Sequence, residues 1–245
     1  MRSYGVFDLV DQTLDSAAAD VAWDEILLRE VETGVRDRPV LRLWEPPRRA
    51  VVLGRANRVA ANVDVAACRD SGVDVVRRFS GGGTVLVGPG SLCFTLVVPL
   101  DPAEPRDIAA LTHDLLTPLI SGLTDATGEK VELRGTSDLV IGECKFSGNA
   151  QRWLRRAVLH HGTLAYALDV DAVERLLTPP ERQPEYRRGR SHREFVTNLP
   201  LGRDRLRRVV VDAYRGVASP TTVPADEIAR AVADRYGRDD WTYSR

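Results

Sequence analysis

The feature that most constrains the fold is a succession of short β-like runs separated by turns that are too short to hold a helix. A parallel pair of strands needs a crossover of about a dozen residues or more, whereas an antiparallel pair needs only a tight turn. The pattern therefore predicts an α/β (α+β) fold with a mixed, mostly antiparallel sheet flanked by helices. The runs are "VLRLWE", "RAVVLG", "GVDVVRRF", "GTVLV", "SLCFTLVV", "KVELRG", "SDLVIG", "CKFSGNAQRW" and "AVLHHGTLAYAL".

Helical periodicity marks several segments between and after these runs. Residues 14–33 carry apolar side chains at three- and four-residue steps and are followed by Gly34, which predicts an amphipathic helix. Residues 141–144 are expected to form a hairpin turn, and the proline- and arginine-rich stretch 178–195 a loop. Further helices are predicted at 107–121, which Pro118 would bend or end, at 169–177 with Asp169 as its cap, at 204–217 and at 224–236.

The composition excludes several classes of protein. A chain of 245 residues with 43% hydrophobic residues and a net charge of −1 is typical of a globular protein, and it lacks the basic excess of nucleic-acid binders. Cys68, Cys93 and Cys144 contain no C-x-x-C pair, so neither a disulfide scaffold nor a structural zinc site is predicted. No apolar run reaches the length of about 18 residues that a membrane span needs. We expect a cytoplasmic protein with neither nucleic-acid nor membrane partners.

The strongest local signal is "RRFSGGGTVLVGPGSL" at residues 77–92. Three consecutive glycines remove every side chain from this stretch, so backbone N–H groups can approach an anion or an acyl chain. On a strand, Arg77 and Arg78 point to opposite faces, and only one of them can reach a ligand in the loop. The stretch matches neither the P-loop nor the dinucleotide-binding fingerprint. A tight turn and a phosphate-binding loop are both consistent with it.

Lys145 is unusual because only it and Lys130 are lysines among 34 Lys and Arg residues. An ammonium is a compact point charge, whereas a guanidinium is broad and planar, so the two are not interchangeable in a crowded site. Lys145 lies in "GECKFSGNAQRW", just ahead of a small polar turn. It is either functional or a lysine left over at the surface.

Two other candidates for chemistry have simpler interpretations. Cys144 adjoins Lys145, which suggests an activated thiol, but neighbours on a strand point apart and a packed cysteine is simpler. His160 and His161 would face opposite sides of a strand, so they are not expected to chelate one metal ion. One of the two histidines can line a site.

Taken together, these motifs resemble the lipoate–protein ligase family, within the wider biotin/lipoate ligase superfamily. "RRFSGGGTV" resembles R-R-x-S-G-G-G-[AT]-V, "SDLVIGECKFSGNAQ" resembles an N-D-L hairpin followed by K-x-[SA]-G-[SN]-[AS]-Q, and "LHHGTLAY" resembles H-H-G-[ST]-L-L. The resemblance covers about residues 15–200 and implies a biotin/lipoate ligase-like catalytic domain at residues 1–200. Residues 201–245 would be a helical extension packed on it, without a full accessory domain.

The resemblance also implies a reaction and its residues. Lipoate or octanoate would react with ATP to give an acyl-adenylate, and the acyl group would pass to a lysine of a lipoyl-acceptor domain of the 2-oxoacid dehydrogenase E2 or glycine cleavage H protein type. Lys145 would be catalytic, and Mg²⁺ would bridge the phosphates with Asp138 as a weak candidate for orienting it. The nucleotide would contact Arg78, Gly83, Thr84, Val85, Leu86 and Lys145, and lipoate would contact Ser80, Gly81, Gly82, Ser147, Gly148, His161 and Gly162.

The sequence departs from the family pattern in two respects. The glycine loop usually continues as V-x-H-D-x-G-N, whereas this chain has "VLVGPGS" and lacks that His and Asp. Larger ligases also carry a C-terminal domain that helps in adenylation. Three interpretations follow: a compact ligase, a ligase that needs a separate accessory chain, or an enzyme that performs part of the reaction.

Two further functions are compatible with the same motifs. An ATP-independent octanoyl or lipoyl transferase would use a cysteine thioester, but Cys144 lies inside the hairpin rather than upstream of it, which favours the ligase. A non-catalytic member would bind lipoyl-adenylate or an acceptor domain as an adaptor. Biotin ligation is disfavoured because nothing resembles that family's G-R-G-R-x-G-R motif.

Overall fold

The computed structural model describes residues 4–180, 183–219 and 221–245. The predicted loop at 178–195 and both predicted domain ranges include a few residues outside this description, namely 1–3, 181, 182 and 220. In the described ranges, no helix combines the length and the apolar character needed to cross a bilayer.

The central sheet has six strands in the order β10-β11-β6-β2-β1-β12. Three of its pairs are antiparallel, namely β10 with β11, β11 with β6 and β6 with β2, whereas β1 pairs in parallel with both β2 and β12. These strands are β1 (Asp8–Asp11), β2 (Val40–Trp44), β6 (Ser91–Pro99), β10 (Asn149–Trp153), β11 (Ala157–Ala165) and β12 (Val217–Ala218).

The described residues also form two three-stranded sheets. The first contains β3 (Ala50–Leu53), β4 (Asp74–Arg77) and β5 (Val85–Val87), with β3 parallel to β4 and antiparallel to β5. The second is an antiparallel meander of β7 (Val131–Arg134), β8 (Asp138–Ile141) and β9 (Cys144–Ser147). The predicted hairpin turn joins β8 to β9, and Gly142 supplies its positive φ of 58°.

The first residues of the helices lie closer to the predicted positions than the last residues do. Ser16 caps the first helix and Gly34 ends it in the left-handed region, at φ 78°. The helices are α1 (Ala17–Thr33), α2 (Val59–Asn62), α3 (Val65–Asp70), α4 (Ile108–Thr127), α5 (Val170–Leu176), α6 (His192–Phe195), α7 (Arg203–Ala213), α8 (Ala225–Ala231) and α9 (Asp239–Thr242).

The ends of three predicted helices and one predicted loop differ from the structure. Helix α4 continues past Pro118 to Thr127, because Leu119 and Leu123 bury the next turns against the sheet. Helix α7 ends at Ala213, and Val217 instead begins β12. The predicted helix at 224–236 becomes a π-helical turn after Ala231, and the predicted loop at 178–195 contains a 3₁₀ turn (Glu185–Arg187) and α6.

The six-stranded sheet is covered by helices on both faces. Because side chains alternate along a strand, Cys93 and Val97 of β6 pack with α1, whereas Phe94 and Leu96 pack on the opposite face with α4 and α7. A third apolar cluster lies between the β3-β4-β5 sheet, α3 and α5. Leu206 of α7 is fully buried in the α4 cluster, so this part of the chain is packed on the main body. The domain boundary at residue 200 stays a prediction.

Candidate active site

A cavity of about 740 Å³ lies between the glycine loop, the β8-β9 hairpin, β11 and the stretch that precedes and includes α6. Part of its wall is apolar, including Val21, Trp44, Phe94, Trp153 and Leu168. Most of the predicted site residues also line it: Arg78, Gly82, Gly83, Thr84, Val85, Leu86, Asp138, Lys145, Ser147, Gly148, His161 and Gly162.

Lys145 extends from β9 into this cavity. Its Nζ atom lies 2.7 Å from Asp138 Oδ1 on the neighbouring strand, and the side chain is 27% exposed. A Cβ atom at Gly148 would lie 2.9 Å from Nζ, so the glycine leaves the space that the ammonium occupies. The other carboxylate oxygen of Asp138 accepts a hydrogen bond from the Tyr186 hydroxyl at 2.8 Å. The ammonium is therefore held in place by groups of this chain.

The side chain of Arg78 holds the glycine loop through hydrogen bonds. Its guanidinium donates to the carbonyls of Gly81 and Gly83, and Nε donates to Ser80 Oγ at 3.0 Å. Burial lowers the pKa of Arg78 to about 10, so the group stays protonated near neutral pH. Gly82 has φ 82°, and a Cβ there would lie 2.9 Å from both Ala150 Cβ and Arg78 Nη2. Only glycine fits at this point of the loop.

Arg77 points away from the cavity, as expected for neighbours on a strand. It donates hydrogen bonds to the carbonyl oxygens of Gly54, Asn57 and Thr242 at 2.7–3.0 Å, and so joins the C-terminal segment to β3 and the turn after it. The prediction that only one of the two arginines can reach a ligand is consistent with this geometry. Arg77 has a structural role.

Ser80 and Gly81 do not line the cavity. Ser80 is fully buried, and its hydroxyl oxygen lies 2.7 Å from Nε2 of His161, which does face the cavity. Gly81 is exposed but is not among the residues that line the cavity. Ser80 therefore supports the glycine loop through His161 rather than by lining the cavity. Gly81 does not face the cavity either.

Behind His161 lies a buried polar network that sequence analysis missed. His161 Nδ1 lies 3.2 Å from Asp24 Oδ2, and the same carboxylate accepts from Thr95 and from Arg42 at 2.8 Å. Arg42 also pairs with Asp20, and Asp20, Asp24, Arg42 and Thr95 are all fully buried. The signal that could have revealed it is a pair of carboxylates spaced one helical turn apart on the buried face of α1.

The charges in this network follow from burial and pairing. Burial lowers the pKa of His161, and the hydrogen bond and charge of Asp24 offset this only in part, so the imidazole is neutral at pH 7. Burial by itself raises the pKa of Asp24, but the His161 hydrogen bond and the Arg42 charge outweigh it and leave that pKa lowered. Neutral His161 thus donates a hydrogen bond from Nδ1 to Asp24, and its Nε2 atom accepts a hydrogen bond from the Ser80 hydroxyl.

His160 faces the other side of β11. Its Nδ1 atom lies 3.0 Å from Gln151 Nε2, and its ring packs near Phe94. Burial lowers the pKa of His160 to about 3, so it is a neutral core residue. The two histidines therefore do not share a ligand, as the strand geometry predicted.

A family model for the lipoyl protein ligase A/B catalytic domain matches residues 16–212. This chain belongs to that family. The predicted family is therefore confirmed.

Two named lipoate–protein ligases are similar in sequence to this chain. Lipoate–protein ligase 1 of Staphylococcus aureus is 25% identical over 81% of this chain, which spans only 62% of the length of that relative. Lipoate–protein ligase A subunit 1 of Thermoplasma acidophilum is 24% identical over 95% of this chain and 94% of the relative.

Solved structures of similar proteins share the fold. A T. acidophilum protein with bound lipoic acid superposes with a TM-score of 0.81 at 21% identity, covering 98% of this chain and 100% of that one. A lipoate–protein ligase A bound with ATP gives 0.81 at 23% identity over 98% and 99% of the two chains. A T. acidophilum bipartite lipoate protein ligase, studied with its E2 lipoyl domain, gives 0.80 at 23% identity over 97% and 96%. The predicted ligase-like fold is confirmed.

In this member of the lipoyl protein ligase A/B family, Cys144 is not a cavity residue. Its Sγ atom is directed toward the carbonyl oxygen of Glu194, 3.8 Å away, whereas its neighbour Lys145 lines the cavity. A thioester on Cys144 would therefore form outside the cavity that the glycine loop lines. This placement disfavours the transferase alternative.

The described part of this family member holds no cluster of side chains for a metal ion. Across the described residues, no three His, Cys, Asp or Glu side chains are grouped so that they could hold a metal ion. Asp138, the predicted candidate, has one oxygen paired with Lys145 and the other with Tyr186. Both carboxylate oxygens of Asp138 are therefore already engaged by side chains of this chain.

Proposed function

We propose that this chain activates lipoate or octanoate with ATP to an acyl-adenylate and then transfers the acyl group to a lysine of a lipoyl-acceptor domain. The observation that carries the proposal is that Lys145, Gly82 and Gly83 line one cavity that also has an apolar wall. An apolar wall suits an acyl chain, whereas an ammonium and a side-chain-free backbone suit anions. Membership of the lipoyl protein ligase A/B family supports the same chemistry.

In the first step, a carboxylate oxygen of the acid attacks the α-phosphorus of ATP. A new O–P bond forms, the bond to the β-phosphate oxygen breaks, and pyrophosphate leaves with the electron pair. Because carboxylate and triphosphate are both anions, their approach is opposed by Coulomb repulsion. The ammonium of Lys145 would offset this repulsion, and Asp138 holds it in the cavity beforehand.

The other predicted contacts are proposed on the same basis. Arg78, Gly83, Thr84, Val85 and Leu86 would border the nucleotide, while Gly82, Ser147, Gly148, His161 and Gly162 would border the acid. Gly162 has a steric reason to be glycine, since a Cβ there would lie 1.9 Å from Asn149 Oδ1 and 2.8 Å from Phe94. Mg²⁺ would enter with the nucleotide phosphates and neutralise part of their charge, as is usual for this ion.

In the second step, the amine of the acceptor lysine attacks the acyl carbon of the adenylate. An amide bond forms, the bond from the acyl carbon to the phosphate oxygen breaks, and AMP leaves with the electron pair while the amine loses a proton. The acceptor is proposed to be a lipoyl domain of an E2 or H protein. The T. acidophilum bipartite ligase and its E2 lipoyl domain support this choice, and also the proposal that a separate accessory chain assists adenylation.

One assay tests the proposal. Purified protein is incubated with a lipoyl domain, Mg²⁺, ATP and either lipoate or octanoate, with and without an accessory chain of the bipartite type, and the acceptor is weighed by intact mass spectrometry. We expect acylation of one lysine only when ATP and the free acid are both present. Acylation from acyl carrier protein without ATP would contradict the proposal, as would binding of the acceptor with no acylation in any mixture.

A further inference from the structure

Arg187 is a buried cation that has no carboxylate partner among the described residues. Its side chain lies in the cavity wall, and the residue is only 3% exposed. The Nη2 atom is buried and has no hydrogen-bond partner within the described chain. In the same ranges no carboxylate forms an ion pair with Arg187, and Glu174 and Asp138 act on it only as more distant charges. A buried, unpaired guanidinium is costly, so an absent anion is a physical explanation for it.

Arg190, in the same stretch, has a structural role, and its hydrogen bonds can be compared with those of Arg187. Both guanidinium groups pack over the ring of Phe195, with Cζ 4.8 Å from the ring centre for Arg187 and 5.2 Å for Arg190. The N–H groups of Arg190 donate to the carbonyls of Arg187, Glu194, Glu143 and Tyr186. Within the described residues, the hydrogen bond that Arg187 donates to the backbone comes from Nε and goes to the carbonyl of Arg190 at 2.9 Å. The terminal N–H groups of Arg187 are therefore available to bind a ligand.

His192 shares the cavity wall with Arg187, and the carboxylate of Glu174 acts on both residues. In the part of the chain that the structure describes, the Nδ1 atom of His192 has no hydrogen-bond partner, and it lies 3.6 Å from a carboxylate oxygen of Glu174. Burial lowers the pKa of His192 and the charge of Arg187 lowers it further, while the carboxylate of Glu174 offsets this only in part. Asp138 is already paired with Lys145, so it does not neutralise Arg187.

We propose that Arg187, with His192 beside it, forms a subsite for a pyrophosphate group: the outer phosphates of the nucleotide before the reaction and the released pyrophosphate after it. A guanidinium presents two parallel N–H groups that match two phosphate oxygens. Lys145 would act where the acid meets the α-phosphate, and Arg187 would hold the part of the nucleotide that leaves. This inference rests on the proposed function and adds a residue that the family motifs do not contain.

The variant that tests this subsite is Arg187→Met, which keeps a long side chain over Phe195 and removes the charge. The matched control is Arg193→Met on α6, which removes the same charge from a side chain that is 62% exposed and paired with Asp171. Both variants are titrated with inorganic pyrophosphate by calorimetry in the absence of ATP and acid, and their initial rates are measured against ATP and against lipoate.

The expected result is a loss of pyrophosphate affinity of at least about 10-fold in Arg187→Met, the effect of one charged hydrogen bond. KM for ATP should rise by a similar factor, with KM for lipoate unchanged, and Arg193→Met should behave as the wild type. Equal pyrophosphate affinity in Arg187→Met and the wild type would overturn the inference. If Arg187→Met does not fold, amide hydrogen exchange of the wild type decides: pyrophosphate should slow exchange at residues 184–196, and unchanged exchange at saturation would overturn the inference.

These outcomes separate the subsite from the proposed function. Pyrophosphate binding that depends on Arg187, in a protein that forms no adenylate, would retain the subsite and reject the ligase. Full ligation with pyrophosphate binding unaffected by Arg187→Met would retain the ligase and reject the subsite.

Discussion

The Nε2 atom of His161 lies 2.7 Å from the hydroxyl oxygen of Ser80, and this contact joins the central sheet to the glycine loop. On its other side His161 contacts Asp24, which is fixed by the buried guanidinium of Arg42. The position of the loop is therefore set by the core of the protein. A loop held this way can present its backbone to a ligand without first being ordered.

Ser80→Ala tests this support. The substitution removes the hydroxyl that His161 and Arg78 both contact, and we expect the free energy of unfolding to fall by about 1–2 kcal/mol. Lipoate should bind severalfold more weakly because the loop is less well held. Urea denaturation and calorimetric titration measure the two effects. Ser71→Ala, at an exposed serine, is the control. A Ser80→Ala protein as stable and as tight-binding as the control would show that the contact has no such role.

Gly82→Ala and Gly81→Ala form a matched pair within the glycine loop. Gly82 has φ 82° and its Cβ would lie 2.9 Å from Ala150 Cβ, whereas a Cβ at Gly81 would meet no atom within 4 Å. We expect Gly82→Ala to lose about 1–2 kcal/mol of stability from backbone strain and to weaken lipoate binding at least about 10-fold. Gly81→Ala should change neither quantity appreciably. The measurements are thermal unfolding and calorimetric titration, and similar behaviour of the two variants would contradict the assigned loop geometry.

His160 predicts a pH dependence of stability. Burial lowers its pKa to about 3 in the folded state, against an ordinary value of 6.5. Below pH 6.5 the unfolded chain binds a proton that the folded chain does not, so the stabilisation present above pH 6.5 is lost as pH falls toward 3. The expected loss is up to about 1.4 kcal/mol per pH unit.

His160→Asn isolates this contribution. Urea unfolding of the wild type and the variant from pH 7 to pH 5 should give a shallower pH slope for the variant, whereas His113→Asn, at an exposed histidine, should keep the wild-type slope. Identical slopes for the wild type and His160→Asn would mean that His160 titrates normally in the folded protein.

Much of the fold was predictable because it depends on local patterns. The short turns between strands predicted a mostly antiparallel arrangement, and β6, β11 and β10 follow it. The exceptions come from long-range pairing: β1 lies parallel to β2 and β12, and β3 lies parallel to β4, and no local pattern identifies such partners. Helix α4 passes Pro118 for a related reason, since burial of the following leucines outweighs the local cost of proline.

The candidate site shows the same division. Motif order placed Lys145, Gly82 and His161 in one site, and the structure puts all three on one cavity. It did not reveal Asp24 and Arg42, because their pairing joins residues 18 positions apart on different elements. Nor did it reveal Arg187, whose significance lies in its burial. An arginine in a proline- and arginine-rich stretch is expected at the surface, and only the packing of that stretch over the cavity buries it.

The most direct test concerns Lys145, whose ammonium lies 2.7 Å from Asp138 in a space that exists because residue 148 is glycine. The broader guanidinium of Lys145→Arg keeps the charge but cannot occupy that space without moving the backbone. Lys130→Arg is the control, since that side chain is 80% exposed and forms an ion pair with Glu132. Formation of acyl-adenylate and pyrophosphate is measured in a single turnover with ATP and lipoate, in the reaction mixture that supports acylation by the wild type. We predict that Lys145→Arg folds normally and forms adenylate at least about 10²-fold more slowly, with Lys130→Arg unchanged. Adenylate formation by Lys145→Arg at the wild-type rate would contradict the role assigned to this lysine.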